Sequence, residues 1–167
     1  MKNLVTFYRS FMLTRSVYML LAGIVLLFII SFFIPILLMA AQLLLLLLVC
    51  LVVVDAIVLY ARRHGLSGKR NAAERFSNGD ENIIHILLGN HYTFRVRVEL
   101  IDELPFQFQQ MNRKRKAVLK GGQEYHLTYI LRPLQRGEYV FGNINAFVTS
   151  PLTLVQRRYI FNQQQVV

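Results

Sequence analysis

The stretch Val17–Tyr60 reads VYMLLAGIVLLFIISFFIPILLMAAQLLLLLLVCLVVVDAIVLY, two apolar runs, Val17–Ile34 and Ile36–Tyr60, parted by Pro35. At ~1.5 Å rise per residue the first run, about 18 residues, gives roughly 27 Å, close to the ~30 Å hydrocarbon thickness of a bilayer. The second, about 25 residues, reaches roughly 37 Å and can cross with some tilt. Core helices of a soluble protein carry a polar stripe at a 3.6-residue period, and Leu43–Val54 has none. Residues 17–60 therefore read as a two-helix transmembrane hairpin, 17–34 and 36–60. Pro35 stands at the reversal, where a missing amide donor costs nothing at a helix start. The second long run also argues against a cleaved signal peptide, which has one short apolar core followed by small residues.

Charge sets the orientation. Lys2, Arg9 and Arg15 precede the first run, Arg62, Arg63, Lys69 and Arg70 follow the second, and the Pro35 connection has no basic residue. Positive flanks stay inside, so the basic N-terminal segment 1–16 and everything after the hairpin are expected in the cytoplasm of a cell membrane crossed twice. The only cysteine, Cys50, lies within the second run, so no intrachain disulfide framework is available. Of the formal charge of +10, residues 1–70 hold +6 and residues 71–167 hold +4. Much of the basic excess is thus a topology signal beside the bilayer, which makes nucleic acid an unexpected partner and an anionic lipid surface an expected one.

Asp55 is the one ionisable side chain inside a span, where a charge costs ~2.5–3.5 kcal/mol at mid-bilayer. It stands twenty residues after Pro35, and twenty residues before Pro35 stands Arg15. An Arg15–Asp55 ion pair near the interface is the expectation. An ion or proton pathway would need several polar groups, and the run offers only Gln42 beside it.

A basic linker, residues 61–71, containing Gly65, Ser67 and Gly68, separates the hairpin from a segment of different periodicity. Tyr92, Phe94, Val96, Val98 and Leu100 alternate with Thr93, Arg95, Arg97 and Glu99, the period-two pattern of a strand with one buried face. Similar runs lie at Asn82–Leu88, Tyr125–Leu131, Glu138–Phe141 continuing through Ile144–Thr149, and Leu152–Phe161, with shorter ones at Phe106–Gln109 and Ala117–Leu119. Turn residues divide them at Asn78-Gly79-Asp80, Gly89-Asn90, Gly121-Gly122 and Gly142-Asn143, while Pro105, Pro133 and Pro151 fall at strand edges. The pattern predicts an antiparallel immunoglobulin-like β-sandwich over 72–167, a membrane helical hairpin followed by an all-β domain.

Two motifs within that domain carry a resemblance. Arg132-Pro133-Leu134-Gln135-Arg136-Gly137-Glu138-Tyr139 and Ser150-Pro151-Leu152-Thr153-Leu154 resemble the R-G-x-Y and D-P-F-G-L elements of the family catalogued as domain of unknown function 58. Gly79, the strand after it and Asn90 resemble that family's first sandwich strands, and the order of two membrane helices and then a sandwich is also similar. Ser150 stands where the family has aspartate and Thr153 where it has glycine. Members usually continue into a von Willebrand factor A-like domain, whereas Val167 follows Phe161 by six residues, so no metal-dependent adhesion site is expected. The resemblance implies a membrane protein working beside a MoxR-type AAA+ ATPase in the assembly or maturation of other proteins.

The residues themselves point to structure rather than catalysis. In Arg136-Gly137-Glu138-Tyr139 the glycine lets the chain turn and the tyrosine buries its ring with the hydroxyl bonded to backbone, as at a sandwich corner. Ser150-Pro151 ends one strand and starts the next, with no histidine and acid to activate the serine. His85, His91 and His126 lack the cysteine or closely spaced second histidine of a metal site. Asp102-Glu103 reads as a solvated loop, and Gly121-Gly122 lacks the Lys-Ser/Thr ending of a phosphate loop. No cofactor and no enzymatic activity are expected. The dense run Arg113-Lys114-Arg115-Lys116 reads as a solvated connecting loop or as a contact for anionic lipid headgroups, worth on the order of 1 kcal/mol per basic residue near the surface.

These readings converge on a non-enzymatic, membrane-anchored interaction module whose cytoplasmic sandwich presents its strand edges to a protein partner. The alternative is a small subunit of a transporter or pore whose function lies in the hairpin around Asp55 and Gln42.

Overall fold

The structure is a computed structural model that describes residues 10–108, 114–162 and 164–167. It divides into two compact units: the chain up to Arg63 together with Thr149–Arg157, and His64–Val148 together with Arg158–Val167.

In the first unit, helices α1 (Arg15–Ser31) and α2 (Ile36–Tyr60) pack side by side. The second has the limits its apolar run sets. The first starts two residues before Val17 and stops three before Ile34. Its end is tightened into three-residue turns, with the Phe32 and Phe33 amides donating to Ile29 and Ile30 carbonyls at 3.2 and 3.0 Å, just ahead of Pro35, a residue that disfavours the α conformation in the one before it. Val17, Ile24 and Ser31 are the buried residues of α1, and Ala41, Leu48 and Asp55 are joined by Leu59 on α2. Each set of three recurs every seven residues, the spacing that keeps one seam of a helix against its neighbour. Ser31 and Ala41 are the small members of the two sets. The rest of α2 is uncovered: only 11% of its most apolar window is buried, and it is long and apolar enough to cross a membrane. A short strand, β1 (Phe11–Leu13), lies in the basic N-terminal segment 1–16 and pairs antiparallel with Val155–Arg157.

The second unit is a β-sandwich-like domain. One sheet has the order β2-β3-β6, with β2 at Leu66–Asn71, β3 at Asn82–Asn90 and β6 at Glu124–Leu131. The other contains β4 (Val96–Asp102) between β5 (Arg115–Leu119) and β8 (Ile144–Thr149), with the part of β9 (Val155–Phe161) that follows Arg157 beyond β8. Inward side chains from both sheets form the core: Ile84, Ile86 and Leu88 from β3, Val96, Val98 and Leu100 from β4, with Leu119, Leu131, Ile144, Ala146 and Val148. The period-two alternation of the sequence is this core read along each strand.

Residues 66–71 are not a linker: they form a strand paired with β3 over Leu66↔Asn90 to Asn71↔His85. Its glycines serve close packing. A Cβ on Gly68 would lie 2.6 Å from the Phe161 ring, and one on Gly65 just ahead of the strand would run into the Tyr92 ring. The run Tyr92–Leu100 is strand only from Val96. Before that, the Asn90 amide donates to the Phe94 and Lys120 carbonyls at 3.2 and 2.8 Å and accepts from the Tyr92 amide at 3.0 Å, holding a turn. Phe106–Phe108 is a 3₁₀ turn after Pro105 rather than a strand. The chain end, β10 (Gln165–Val166), pairs with β7 (Val140–Phe141).

Candidate functional site

Asp55 is 1% exposed and lies on the buried seam of α2. Its carboxylate is held by the turn between β8 and β9. Leu152 N–H donates to Oδ1 at 3.3 Å, Leu154 and Val155 N–H donate to Oδ2 at 3.1 and 3.2 Å, and the Ser150 hydroxyl donates to Oδ2 as well. Successive amides converging on one anion form a nest, here filled by a side chain of the same chain. The turn is closed on itself by Ser150 N–H to Val155 O at 3.0 Å and Thr153 N–H to Ser150 O at 3.1 Å. Thr153 takes a φ of 60°, a left-handed conformation that glycine adopts without strain and a β-branched residue does not.

The same turn holds the start of α1. The Thr14 hydroxyl donates to the carbonyls of Thr153 and Leu154 at 2.5 and 3.1 Å, and the Thr14 amide to Leu154 O at 3.0 Å. Three residues further, Arg157 closes the C-terminus of α2: its guanidinium donates to the carbonyls of Leu59, Arg62 and Arg63 at 3.1, 2.8 and 3.1 Å and lies 4.5 Å over the Tyr60 ring. A cation there meets the carbonyls that a helix end leaves without partners.

Arg15 is not brought to Asp55. It is exposed at the first position of α1, and the donors around the carboxylate are the Ser150 hydroxyl and three backbone amides. Equal counting from Pro35 assumed two helices of equal reach, whereas α1 stops at Ser31 and it is Thr14 that meets the turn. The partners of Asp55 are about a hundred residues away in sequence, in the Ser150–Leu154 motif and at Val155 just after it. Pro151 is exposed in that turn.

In the Arg136–Tyr139 motif the tyrosine is the buried residue. The Tyr139 ring is buried between Phe76 and Phe108, with centroids at 6.1 and 5.0 Å, and its hydroxyl donates to Gln135 O at 2.6 Å. Gly137 has a φ of 152°, a backbone angle that side chains disfavour. Arg136 is exposed at a cleft shared with Asn78 and Gln135.

In the basic run, Arg113 lies outside the described residues and Lys114 is exposed. Arg115 sits 5.4 Å over the Tyr129 ring, and Lys116 pairs with Glu99 at 3.3 Å. His85 bonds Thr128 at 3.0 Å and His91 bonds Ser67 at 2.9 Å. Among the described residues no three His, Cys, Asp or Glu side chains gather as a metal site would require.

Asp102 and Glu103 do not form a solvated loop. Asp102 accepts from both Nε and Nη2 of Arg70, which is buried, and from the Tyr129 hydroxyl. Arg70 also donates to Gly142 O at 3.2 Å and lies 4.7 Å over the Phe141 ring. Glu103 accepts from Asn143 N–H at 2.8 Å and Asn145 Nδ2 at 2.7 Å. Burial pushes the Tyr129 phenol far above its ordinary value of 10.0, and the Asp102 carboxylate adds to this as a neighbouring charge and as hydrogen-bond acceptor; Arg70 and Arg115 pull the other way. Arg70 stands in a glycine-containing basic stretch with the composition of a linker, so nothing in the sequence points to this cluster.

No family model matches the chain, and no curated protein matches it. Among solved structures it is similar to a CARDB domain from Pyrococcus furiosus at 15% identity, over 59% of this chain and 94% of that one, with a TM-score of 0.39. A putative ApaA protein from Bordetella pertussis matches at 6% identity, over 61% and 89% of the two chains, with a TM-score of 0.38. A β-glucosidase from Listeria innocua matches at 15% identity over 59% of this chain and 16% of its own, with a TM-score of 0.26.

Proposed function

We propose that this protein is a membrane-anchored, non-enzymatic interaction module, with α1 and α2 as a two-span anchor and the sandwich as the docking domain on the cytoplasmic side. The observation that carries this is the uncovered surface of α2, 25 residues long with a mean hydropathy of 3.1 over its most apolar window. In water that surface would be strongly unfavourable, and in hydrocarbon it is at home. The shallow apolar groove along the two helices, lined by Met19, Ile24, Leu44, Leu48 and Leu51 among others, suits acyl chains.

Asp55 supports an anchor over a conduit. Both oxygens of its carboxylate are occupied by donors of the chain, so it holds a turn where a pathway would need a group open to an ion. The Ser150–Leu154 turn also supports the resemblance to the domain of unknown function 58 family, because the left-handed Thr153 occupies the position at which that family has glycine. On that reading the partner is a MoxR-type AAA+ ATPase, and Lys114 with its basic neighbours rests on anionic headgroups.

Membranes from cells expressing the full chain, washed with alkaline carbonate, test the anchor. Retention in the pellet is expected, with protease in inverted vesicles removing the sandwich. Release by carbonate, or protection of the sandwich, would overturn the corresponding half of the proposal. A photo-reactive residue at Ile160, exposed on β9, tests the partner by cross-linking to a co-expressed MoxR-type ATPase.

A further inference from the structure

Strand β6 is an edge: in the order β2-β3-β6 it has β3 on one side, and among the described residues no strand pairs with the other. Edge strands of natural sheets are guarded against pairing by lysine, proline, bulges or shortness. The edge β2 carries Lys69 and Arg70, and β5 is five residues long with Arg115 and Lys116. At eight residues, Glu124–Leu131 is longer than either and has no lysine, arginine or proline. Its outward side chains are Glu124, His126, Thr128 and Ile130, and Arg132 just beyond the strand is exposed in the same alternation.

We propose that β6 pairs antiparallel with β6 of a second copy of this chain, about a two-fold axis at Thr128. In that register residue numbers across the axis add to twice that of the central residue. Glu124 then faces Arg132 of the other copy, and Arg132 faces its Glu124. His126 faces Ile130 twice, and Thr128 faces itself. Two opposite-charge pairs and a threonine pair are favoured cross-strand neighbours. Parity excludes half the other registers, since a one-residue slip of one strand puts an outward side chain opposite an inward one. Centring on Leu127 instead sets Glu124 against Ile130 and leaves Arg132 opposite Gly122, and centring on Tyr129 sets His126 against Arg132. The Thr128 register alone among these matches the charges.

Joining the two copies makes one continuous sheet of six strands, β2-β3-β6 and its mate, and gives the outward amides and carbonyls of β6 partners. The pairing goes beyond the anchor-and-docking reading and does not depend on it. It does leave β6 unavailable to a protein partner, so such a partner must use another edge.

Cysteine cross-linking of the full chain in detergent micelles, on a Cys50→Ser background, tests it. Facing residues of an antiparallel pair have Cα atoms about 4.5–5.5 Å apart, inside the roughly 4.4–6.8 Å span that a disulfide bridges. Mild oxidation of Thr128→Cys is expected to give a disulfide-linked dimer, whereas Lys69→Cys on the opposite edge strand stays monomeric. Association through the helices would not favour position 128. By sedimentation, Glu124→Arg is expected to weaken the dimer roughly tenfold, since it places two like-charge pairs across the axis, and Glu124→Arg with Arg132→Glu is expected to restore it. Arg132 also donates its Nε to Gly79 O, so Arg132→Glu alone is read only if circular dichroism shows the native fold. The proposal is overturned if position 128 cross-links no better than position 69. It is equally overturned if Glu124→Arg leaves association unchanged, or if the folded double variant fails to regain it.

Discussion

Each unit holds a carboxylate largely shielded from water, Asp102 and Asp55, and the two are satisfied by different means. Asp102, in the sandwich, has a full counter-charge: the guanidinium of Arg70, itself buried, together with the Tyr129 hydroxyl. Asp55, on the helix α2, has a hydroxyl and three backbone amides around it. The difference follows from what each setting can supply. Strands bring long polar side chains from separate parts of the chain to one level, so an arginine can be buried with its partner. A helix of leucine and valine offers no cation, and a turn that delivers several N–H dipoles to one point can accept a charge in its place. One carboxylate depends on a single partner and the other on a backbone conformation.

That contrast sets the size of the response to truncation. Asp102→Ala strands a buried guanidinium and is expected to cost about 3–5 kcal/mol, the usual range for breaking one side of a buried pair. Replacing Arg70 and Asp102 together by methionine and leucine is expected to recover most of that loss, because an apolar pair needs no counter-charge. Thermal unfolding of the full chain in micelles measures both. If the double variant were as unstable as Asp102→Ala, the arginine would be acting through its contact with Phe141 rather than through its charge.

Asp55→Ala is expected to cost less, about 2 kcal/mol, since it takes an acceptor from neutral donors and leaves no buried charge without a partner. Loss of hydrogen-exchange protection at the Leu154 and Val155 amides is the specific readout. Arg15→Ala, an exposed change, is expected to shift stability by no more than about 0.5 kcal/mol and to leave the Asp55→Ala loss unchanged when combined with it. A coupling between the two positions would restore the ion pair that the sequence suggested.

The parts of this molecule legible in sequence are those that repeat locally. Helix α2 could be bounded to the residue because its apolar run is continuous, and β3, β6 and β8 were visible through their alternation. Strand β2 was hidden by its composition: glycine and basic residues look like a linker, and the reason for Gly68 is the ring of Phe161, far along the chain. The clasp on Asp55 was hidden for the same reason, its donors being contributed by a turn nearly a hundred residues later. Counting along the helices found the right residue and assigned it the wrong partner. Strands β1 and β10, three and two residues long, carry too few positions for any period to show.

Tyr129 sharpens the comparison on the sandwich side through pH. Its folded-state pKa lies above the ordinary 10.0, so above that pH the folded chain binds the proton more tightly than the unfolded chain does. Stability linked to this group is therefore complete below pH 10.0 and falls as pH rises beyond it. Tyr129→Phe is expected to cost about 1 kcal/mol at neutral pH and to flatten the part of the alkaline slope that this group causes. An unchanged slope in the variant would assign the alkaline loss to other groups.

On the helical side the most specific effect falls on the turn itself. Thr153 is the described non-glycine residue with a positive φ, and it sits between Leu152 and Leu154, two of the residues whose amides point at Asp55. A left-handed residue there is what reverses the chain sharply enough for Leu152, Leu154 and Val155 to converge on one carboxylate. For an L-residue this conformation costs roughly 1–2 kcal/mol, and branching at Cβ makes it worse. Glycine removes that strain but brings more freedom to the unfolded chain, and the Thr153 carbonyl that accepts from Thr14 is kept. The net expectation for Thr153→Gly is a gain of about 1 kcal/mol. That gain should vanish in an Asp55→Ala background, where the amides no longer need to converge. A gain that persisted without the carboxylate would mean that the turn is set by its own sequence, and that Asp55 occupies a nest that would form without it.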